Sequence, residues 1–191
     1  MTGVKNNPAA GQMAERCVKV VLLGEPAAGK SALAERYSVD TFTPLSLPTI
    51  GIDFFRIRRP AFKVHLWDTA GQERFRSIVT SYYRLGEALV LVVDGTADSH
   101  QLPYWYEQCC EHNPEAVFMV FGTKADLLST KTPCGQAWCE ERGIPYLLTS
   151  ASTGEGVEEA FAEAVRRCGA RPPPEFTLVT INKKRCGRCC G

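Results

Sequence analysis

Apolar runs alternate with amphipathic stretches along the chain, and this pattern predicts buried strands separated by helices. The runs predicted as strands cover residues 17–23, 52–58, 62–67, 88–93, 116–121 and 144–148. The stretches predicted as helices cover residues 32–39, 99–112, 133–142 and 155–168. Arg59-Pro60-Ala61 separates the second and third runs, which predicts a hairpin there. The alternation of strands with helices indicates an α/β fold with a mostly parallel six-stranded sheet and helices on both faces.

The pattern also predicts a single domain between two less structured ends. Residues 1–15 are small and polar, and we expect a flexible lead. Residues 16–168 form the predicted domain. Pro172, Pro173 and Pro174 then end the last helix, so residues 169–191 are expected to be a flexible tail.

Composition narrows the class of protein. The 191 residues are 45% hydrophobic and 23% charged, which is typical of a soluble globular domain. The net charge of +1 gives no basic field, so we expect no nucleic-acid partner. The longest apolar runs have six residues, whereas a membrane-spanning helix needs about 18. With no apolar segment typical of a secretion signal near the N-terminus, the nine cysteines are expected to be reduced thiols.

The segment after the first strand has the spacing of a phosphate-binding loop. Gly24-Glu-Pro-Ala-Ala-Gly-Lys-Ser31 fits G-x-x-x-x-G-K-[ST] and lies between a predicted strand and a predicted helix. Backbone amides and the helix N-terminus would hold phosphate oxygens. Lys30 would bridge the β- and γ-phosphates, and the Ser31 hydroxyl would coordinate Mg²⁺. The residues assigned to this loop are Glu25, Pro26, Ala27, Ala28, Gly29, Lys30, Ser31 and Ala32.

A second group of candidate residues follows the third predicted strand, in Trp67-Asp-Thr-Ala-Gly-Gln-Glu73. Asp68 stands where a second carboxylate would hold Mg²⁺ through a water. Gly71 has no Cβ, so its N–H can approach a γ-phosphate. The neutral amide of Gln72 can donate and accept at once, which suits it to orient an attacking water.

A third group would recognise the base. Asp126, in Gly122-Thr-Lys-Ala-Asp126, can accept two hydrogen bonds from guanine, whereas adenine offers neither donor. A missing bond to a buried charge costs about 1.5–3 kcal/mol, so this carboxylate would select guanine. The Lys124 stem and Phe42 would pack on the ring. The remaining assigned base contacts are Thr123, Ser150, Ala151 and Ser152.

Together these residues resemble the Ras-like small GTPases, and two segments point to the Rab branch. Thr49-Ile-Gly-Ile-Asp-Phe54 resembles the first switch of Rab proteins, and Trp67 through Arg84 resembles the second switch. The resemblance covers about residues 16–168 and implies a small G domain with the P-loop NTPase fold. It also implies GTP and GDP as ligands, Mg²⁺ as cofactor, slow intrinsic hydrolysis, and an activating protein whose arginine adds a factor of about 10³–10⁵.

The resemblance assigns further roles and partners. Thr49 would reach Mg²⁺ and the γ-phosphate in the GTP state. Ile50 and an exposed triad of Phe54, Trp67 and Tyr82 would bind effectors. An exchange factor, a GTPase-activating protein and a prenyl-protein escort or dissociation inhibitor are the other implied partners of a monomer. The implied setting is vesicle trafficking at the cytoplasmic face of an intracellular or plasma membrane, with cycling through the cytosol.

The C-terminus carries the last part of the resemblance. Cys189-Cys190, one residue from the end, resembles the double-geranylgeranylation motif of Rab proteins. Two lipid chains anchor stably where one is marginal, and the basic residues from Lys183 to Arg188 would each add about 1 kcal/mol at an anionic leaflet. An unmodified tail is the alternative.

Several residues depart from the family pattern. Pro26 stands where a small residue is usual, Thr123 replaces the usual Asn, and Leu148 and Ser152 replace a usual Glu and Lys. Pro26 raises an alternative, namely a nucleotide-bound adaptor that hardly turns over. A third hypothesis, a kinase that uses ATP, is disfavoured by the segments at Trp67 and Thr123. We expect His65, His100 and His112 to be structural.

Overall fold

The computed structural model describes residues 16–44, 47–71, 76–97, 100–128 and 132–169. Its strands are β1 Cys17–Leu23, β2 Ile52–Arg59, β3 Phe62–Thr69, β4 Ala88–Asp94, β5 Val117–Thr123 and β6 Tyr146–Leu148. Its helices are α1 Lys30–Val39, α2 Arg76–Tyr83, α3 Leu102–His112, α4 Gln136–Arg142 and α5 Val157–Gly169, with a 3₁₀ turn at Ala125–Leu127. The predicted lead at residues 1–15 and all but the first residue of the predicted tail lie outside the described residues.

The strands form one sheet in the order β2-β3-β1-β4-β5-β6. Only the β2–β3 pair is antiparallel, with Phe54 opposite Trp67, while β1 pairs parallel to both β3 and β4. The other described pairs are also parallel. The predicted fold class, including the hairpin between β2 and β3, is confirmed.

Each face of the sheet carries its own apolar core. On one face α1 and α5 pack on the central strands, and the Phe161 ring lies 3.9 Å from Tyr37 in a stacked pair and 5.3 Å from Phe121 edge-on. On the other face, buried side chains of α3 and α4 such as Trp105 and Cys139 pack against β4 and β5. The predicted placement of helices on both faces is therefore confirmed.

Several predicted boundaries are wrong by a few residues, each for a local reason. Helix α1 begins at Lys30 rather than at residue 32, because Gly29 adopts a left-handed φ of 94° and caps it. Strand β5 starts at Val117 and continues two residues past Phe121, to Thr123, paired with Asp94. Ile144 lies outside β6, since its N–H donates to the Cys139 carbonyl at 3.0 Å and closes the end of α4.

Helix starts on the second half of the chain were also predicted too early. Helix α3 starts at Leu102 rather than at residue 99, with Pro103 in its first turn. Helix α4 starts at Gln136 after the left-handed Gly135, and α5 starts at Val157 after the left-handed Gly156. Helix α2 was not predicted as a helix at all.

The described cysteines form no disulfide, in line with the expected reduced thiols. Cys17, Cys109, Cys110, Cys134, Cys139 and Cys168 all lie outside any disulfide and are at least partly buried. Across the described ranges, none of the helices has the length and apolar character needed to cross a bilayer.

Candidate functional site

The parallel strands end at one edge of the sheet, and the loops there enclose a cleft of about 680 Å³. Open α/β sheets bind ligands at this edge, outside the carboxyl ends of their strands. The cleft gathers predicted residues from all three sequence segments. Those that line it are Pro26, Ala27, Gly29, Lys30, Ser31, Ala32, Phe42, Thr49, Gly71, Thr123, Lys124, Asp126, Ala151 and Ser152.

Other predicted residues lie around this cleft rather than in its wall. Glu25 and Ala28 line a smaller cavity of about 180 Å³ beside the loop, next to Asp94. Asp68 and Ser150 are buried. Gln72 lies outside the described residues. Sequence reasoning missed the cleft-lining residues Thr43, Pro44, Leu47, Pro48, Thr69 and Leu127; most follow Phe42 or precede Thr49, and that proximity was the available clue.

The tip of the phosphate loop is a tight turn with Pro26 at its second position. The Ala28 N–H faces the Glu25 carbonyl at 3.4 Å, and Ala27 has a φ of 60°. Proline at the second position followed by a positive φ is the type II arrangement. The unusual proline therefore fits the loop, while Ala27 takes the conformation that glycine adopts with least strain.

Lys30 is 5% exposed and its ammonium is held inside the loop. Nζ donates to the Gly24 carbonyl at 3.0 Å and to the Glu25 carbonyl at 2.7 Å. Burial lowers the pKa of Lys30 to about 8, against the opposing effect of Asp68 and Glu25. The residue thus remains mainly a cation at neutral pH, held by two backbone carbonyls of the loop.

Three oxygen-bearing side chains from different elements converge beside Lys30. The Ser31 hydroxyl at the start of α1 donates to Asp68 Oδ2 at 2.5 Å. Thr49 Oγ1 lies 2.7 Å from Ser31 Oγ and 3.3 Å from the same carboxylate oxygen. Asp68 Oδ1 is buried and has no hydrogen-bond partner among the described residues. Burial raises the pKa of Asp68 to about 6.

Gly71 lies against the phosphate loop so closely that only glycine fits. A Cβ at Gly71 would stand 2.5 Å from the Pro26 nitrogen and 2.6 Å from the Glu25 carbonyl carbon. The segment after β3 and the loop after β1 are therefore in backbone contact.

Thr123 links the phosphate loop to β5. Its side chain is buried, and its hydroxyl lies 2.7 Å from the Ala28 carbonyl and 3.2 Å from the Val93 carbonyl. With one proton, the hydroxyl donates to one of these carbonyls at a time, and the shorter distance favours Ala28.

Lys124 and Asp126 stand at the far end of the cleft, each held by a side chain of another element. Lys124 has a left-handed φ of 60°, and its Nζ lies 2.5 Å from Asp94 Oδ2. Asp126 is exposed, and its Oδ1 accepts a hydrogen bond from the Ser150 hydroxyl at 2.5 Å. A carboxylate is thus presented to the cleft in a fixed orientation.

Of the residues assigned to effector binding, Phe54 lies on β2, Trp67 on β3 and Tyr82 on α2, while Ile50 lies just before β2. Ile50 is 84% exposed and Phe54 43% exposed, and the Phe54 and Trp67 ring centroids are 5.1 Å apart. Trp67 and Tyr82 are half-buried rather than exposed. His65 is the third ring of this cluster, 5.3 Å from Phe54, so it adjoins a surface that sequence reasoning had not associated with it.

Comparison with known proteins decides the family. The sequence matches the Ras family over residues 19–170. It is 36% identical to the Ras-related protein Rab-8B of Dictyostelium discoideum, over 97% of both chains. The chain is a Rab-type small GTPase of the Ras family.

Other relatives of this GTPase carry related names. It is 41% identical to the Ras-related protein RABE1e of Arabidopsis thaliana, over 75% of this chain and 71% of the other. It is 36% identical to the Ras-related protein SEC4 of Saccharomyces cerevisiae, over 84% and 80% of the two chains. As a member of this family the GTPase binds guanine nucleotides, hydrolyses GTP and acts in vesicle trafficking, so the resemblance noted in the sequence is confirmed.

Proposed function

We propose that the cleft is the GTP site, with phosphates at residues 25–32 and guanine at the Thr123–Asp126 end. The observation that carries this is the convergence of Ser31, Thr49 and Asp68 beside the Lys30 ammonium. The Lys30 ammonium offers a site for an anion, and the three oxygen-bearing side chains beside it offer a site for a cation. The complement of such a pair is a phosphate chain with a bound divalent ion.

Mg²⁺ fits this group of residues. Two hydroxyls and a carboxylate are hard oxygen ligands of the kind Mg²⁺ prefers, and the buried Asp68 Oδ1 lacks a partner among the described residues. Ser31 and Thr49 would hold the ion, with Asp68 directly or through a water. When bound, the ion neutralises charge on the phosphate oxygens.

The base end supports guanine over adenine. The Asp126 carboxylate would accept from the two donors of the guanine edge, while Ser150 fixes its orientation. The Lys124 stem and Phe42 would contact the ring from its sides, and the backbone of Ala151 and Ser152 would meet the guanine oxygen.

For hydrolysis we assign Gln72 to orient the attacking water and Lys30 to balance charge on the phosphates. Gly71 would bring its N–H to the terminal phosphate, because it already contacts the loop at Pro26. None of the described residues lining the cleft is an arginine, so an arginine from a GTPase-activating protein would supply the remaining charge.

The alternative, an adaptor with little turnover, rests on Pro26. Its ring is exposed beside Gly71, where an incoming arginine and Gln72 would have to pass. Single-turnover hydrolysis of GTP by the wild-type, Gln72→Leu and Pro26→Gly proteins separates the two readings. We expect Gln72→Leu to fall well below wild type. Equal, near-zero rates in wild type and Gln72→Leu, with a rise in Pro26→Gly, would favour the adaptor.

The switch would follow from Thr49, since its hydroxyl reaches the predicted metal site while Ile50 lies exposed beside it. Loss of the terminal phosphate would release Thr49 and Gly71, and with them the surface formed by Ile50, Phe54, Trp67 and Tyr82. Effectors, the exchange factor and the activating protein would act on these segments.

We further propose that Cys189 and Cys190 carry geranylgeranyl groups, bound in the cytosol by an escort protein or dissociation inhibitor. The lipids would hold the GTPase at the cytoplasmic face of an intracellular or plasma membrane. Both cysteines lie outside the described residues. Membrane fractionation of the Cys189→Ser, Cys190→Ser double variant tests the anchor, and an unchanged membrane fraction would contradict it.

The nucleotide that co-purifies with the full chain, and its release by EDTA, tests the site itself. We expect GDP or GTP, retained with Mg²⁺ and lost on chelation, and lost without chelation in Asp68→Ala. An adenine nucleotide, or retention that is indifferent to EDTA, would refute the assignment.

A further inference from the structure

One face of the β2–β3 hairpin carries an ordered grid of side chains, of which Phe54, Arg56 and Arg58 on β2 are exposed. Register pairs Phe54 with Trp67, Arg56 with His65 and Arg58 with Lys63. The same register continues onto β1, where Trp67 pairs with Val21, His65 with Lys19 and Lys63 with Cys17. Because alternate residues of a strand share a face, these side chains form three rows on one side of the sheet. We call them the apolar row and the two basic rows.

The basic rows concentrate positive charge next to the Phe54–Trp67 rings. Arg56 and Arg58 are exposed, while Lys19, Lys63 and His65 are half-buried. The Arg56 guanidinium lies 5.5 Å from the Phe54 ring centroid. None of the described residues in the three rows is acidic.

The surroundings of His65 support this grouping. Burial lowers the pKa of His65, and Arg56, Lys19 and Lys63 lower it further. Glu87, which lies beside β1, accepts a hydrogen bond from the Lys19 backbone N–H at 3.2 Å and pairs with Arg16 at 3.4 Å. Asp53 and Asp68, on β2 and β3, occupy the alternate positions and so belong to the opposite face.

We propose that the apolar row and the two basic rows form one docking surface for a partner protein that presents an apolar side chain followed by acidic ones. The proposal rests on the effector surface proposed above and names the chemistry of its partner. A row-to-row step of roughly 6.6 Å along the strands is close to the rise of four helical residues, about 6.0 Å, so the partner pattern is apolar at i and acidic at i+4 and i+8. The apolar side chain contacts Phe54 and Trp67, and the acidic ones face the basic rows.

A protein partner fits this surface better than an anionic membrane. Of the two rings in the apolar row, Phe54 is 43% exposed and Trp67 is half-buried, so the row offers a contact for one apolar side chain rather than the broad apolar area that insertion into lipid requires. The apolar row also adjoins the Thr49–Gly51 segment, because the Gly51 carbonyl accepts from the Ala70 N–H at 2.9 Å at the end of the β2–β3 pair. If the proposed switch moves Thr49, contact with this row would depend on the nucleotide state.

The test uses the full chain loaded with a non-hydrolysable GTP analogue and a synthetic helical peptide with Leu at i and Glu at i+4 and i+8. A matched peptide carries Lys in place of both Glu. Binding is measured by fluorescence anisotropy at low and high salt. We expect the Glu peptide to bind, the Lys peptide not to bind, and affinity to fall as salt screens the charges.

Charge-reversal variants then locate the site. Arg56→Glu with Arg58→Glu should weaken Glu-peptide binding by about tenfold or more, as expected for two lost charge pairs. Arg166→Glu is the matched control, since Arg166 lies on α5 on the opposite face, and it should leave binding unchanged. Unaltered release of fluorescent GDP by all variants shows that the nucleotide site is intact, so failure here is distinct from failure of the proposed GTP site.

Three results would overturn the proposal. One is equal binding of the Glu and Lys peptides. Another is equal loss in the Arg166→Glu control. The third is binding of the protein to phosphatidylserine vesicles through Arg56 and Arg58 with no binding of the Glu peptide, which would assign the basic rows to a membrane.

Discussion

The hydroxyl of Thr123 offers the sharpest test of how the two ends of the cleft are joined. Replacing Thr123 by valine keeps the shape of the side chain and removes only the donor. The Ala28 carbonyl, 2.7 Å away, then loses its partner in a buried position. Thr123→Ser is the matched control, because it keeps the hydroxyl and loses only the methyl group that lies against Gly29.

The size of the effect follows from the burial of the link. A net hydrogen bond is worth about 0.5–1.5 kcal/mol, whereas leaving a buried acceptor unsatisfied costs about 1–3 kcal/mol. If this cost falls on the loop conformation that holds phosphate, nucleotide affinity drops by about 5- to 150-fold. The part of this free-energy cost that destabilises the whole domain appears instead as a lower melting temperature.

Release of fluorescent GDP at fixed Mg²⁺, chased with excess unlabelled GDP, measures the effect on nucleotide binding. Thermal unfolding of the GDP-bound protein measures the effect on the stability of the domain. We expect Thr123→Val to release GDP at least about fivefold faster than wild type, with Thr123→Ser within about twofold. The reasoning is refuted if valine and serine variants release GDP at the same rate. It is also refuted if valine lowers the melting temperature and leaves release untouched.

Three further substitutions test other contacts. Tyr37→Phe should leave the free energy of unfolding unchanged or slightly higher by chemical denaturation, because the buried Tyr37 hydroxyl has no partner among the described residues and the stack on Phe161 stays; a loss above about 1 kcal/mol would show a hidden hydrogen bond. Gly71→Ala should slow single-turnover GTP hydrolysis by more than tenfold, roughly 1.4 kcal/mol, because its Cβ has no room beside Pro26, whereas Gly169→Ala, with open space around it, should be neutral. Asp126→Asn should weaken GDP and strengthen xanthosine diphosphate in competition binding, because its amide can donate to the xanthine carbonyl; an unchanged ratio would remove Asp126 from base recognition.

Much of the fold could be predicted because the apolar runs are unambiguous. Residues 88–93 are continuously apolar, and β4 is buried along nearly its whole length, as expected of a central parallel strand. Helix α2 escaped prediction because Arg76–Tyr83 contains β-branched and aromatic residues, whose local preference favours strands. Its helical state is set by tertiary packing, which a local pattern does not contain.

The candidate site, like the fold, could be predicted only where local sequence spacing determines the contacts. Motif spacing identified Lys30, Ser31 and Asp68, since those residues follow strands whose ends must meet. The pairing of Lys124 with Asp94, by contrast, joins positions 30 residues apart, and no spacing rule links them. His65 was treated as structural because a lone histidine carries no pattern, and only register brings it between Phe54 and the basic side chains.

The turn at the tip of the phosphate loop has a consequence for how the empty protein behaves. Proline fixes one backbone angle of that turn before any ligand binds, so the unbound loop has fewer alternative conformations that it would lose on binding an anion. Less freedom is then lost on binding, and more of the contact energy remains as affinity. Pro26, which departs from the family pattern, thus restricts the loop to a conformation suited to binding.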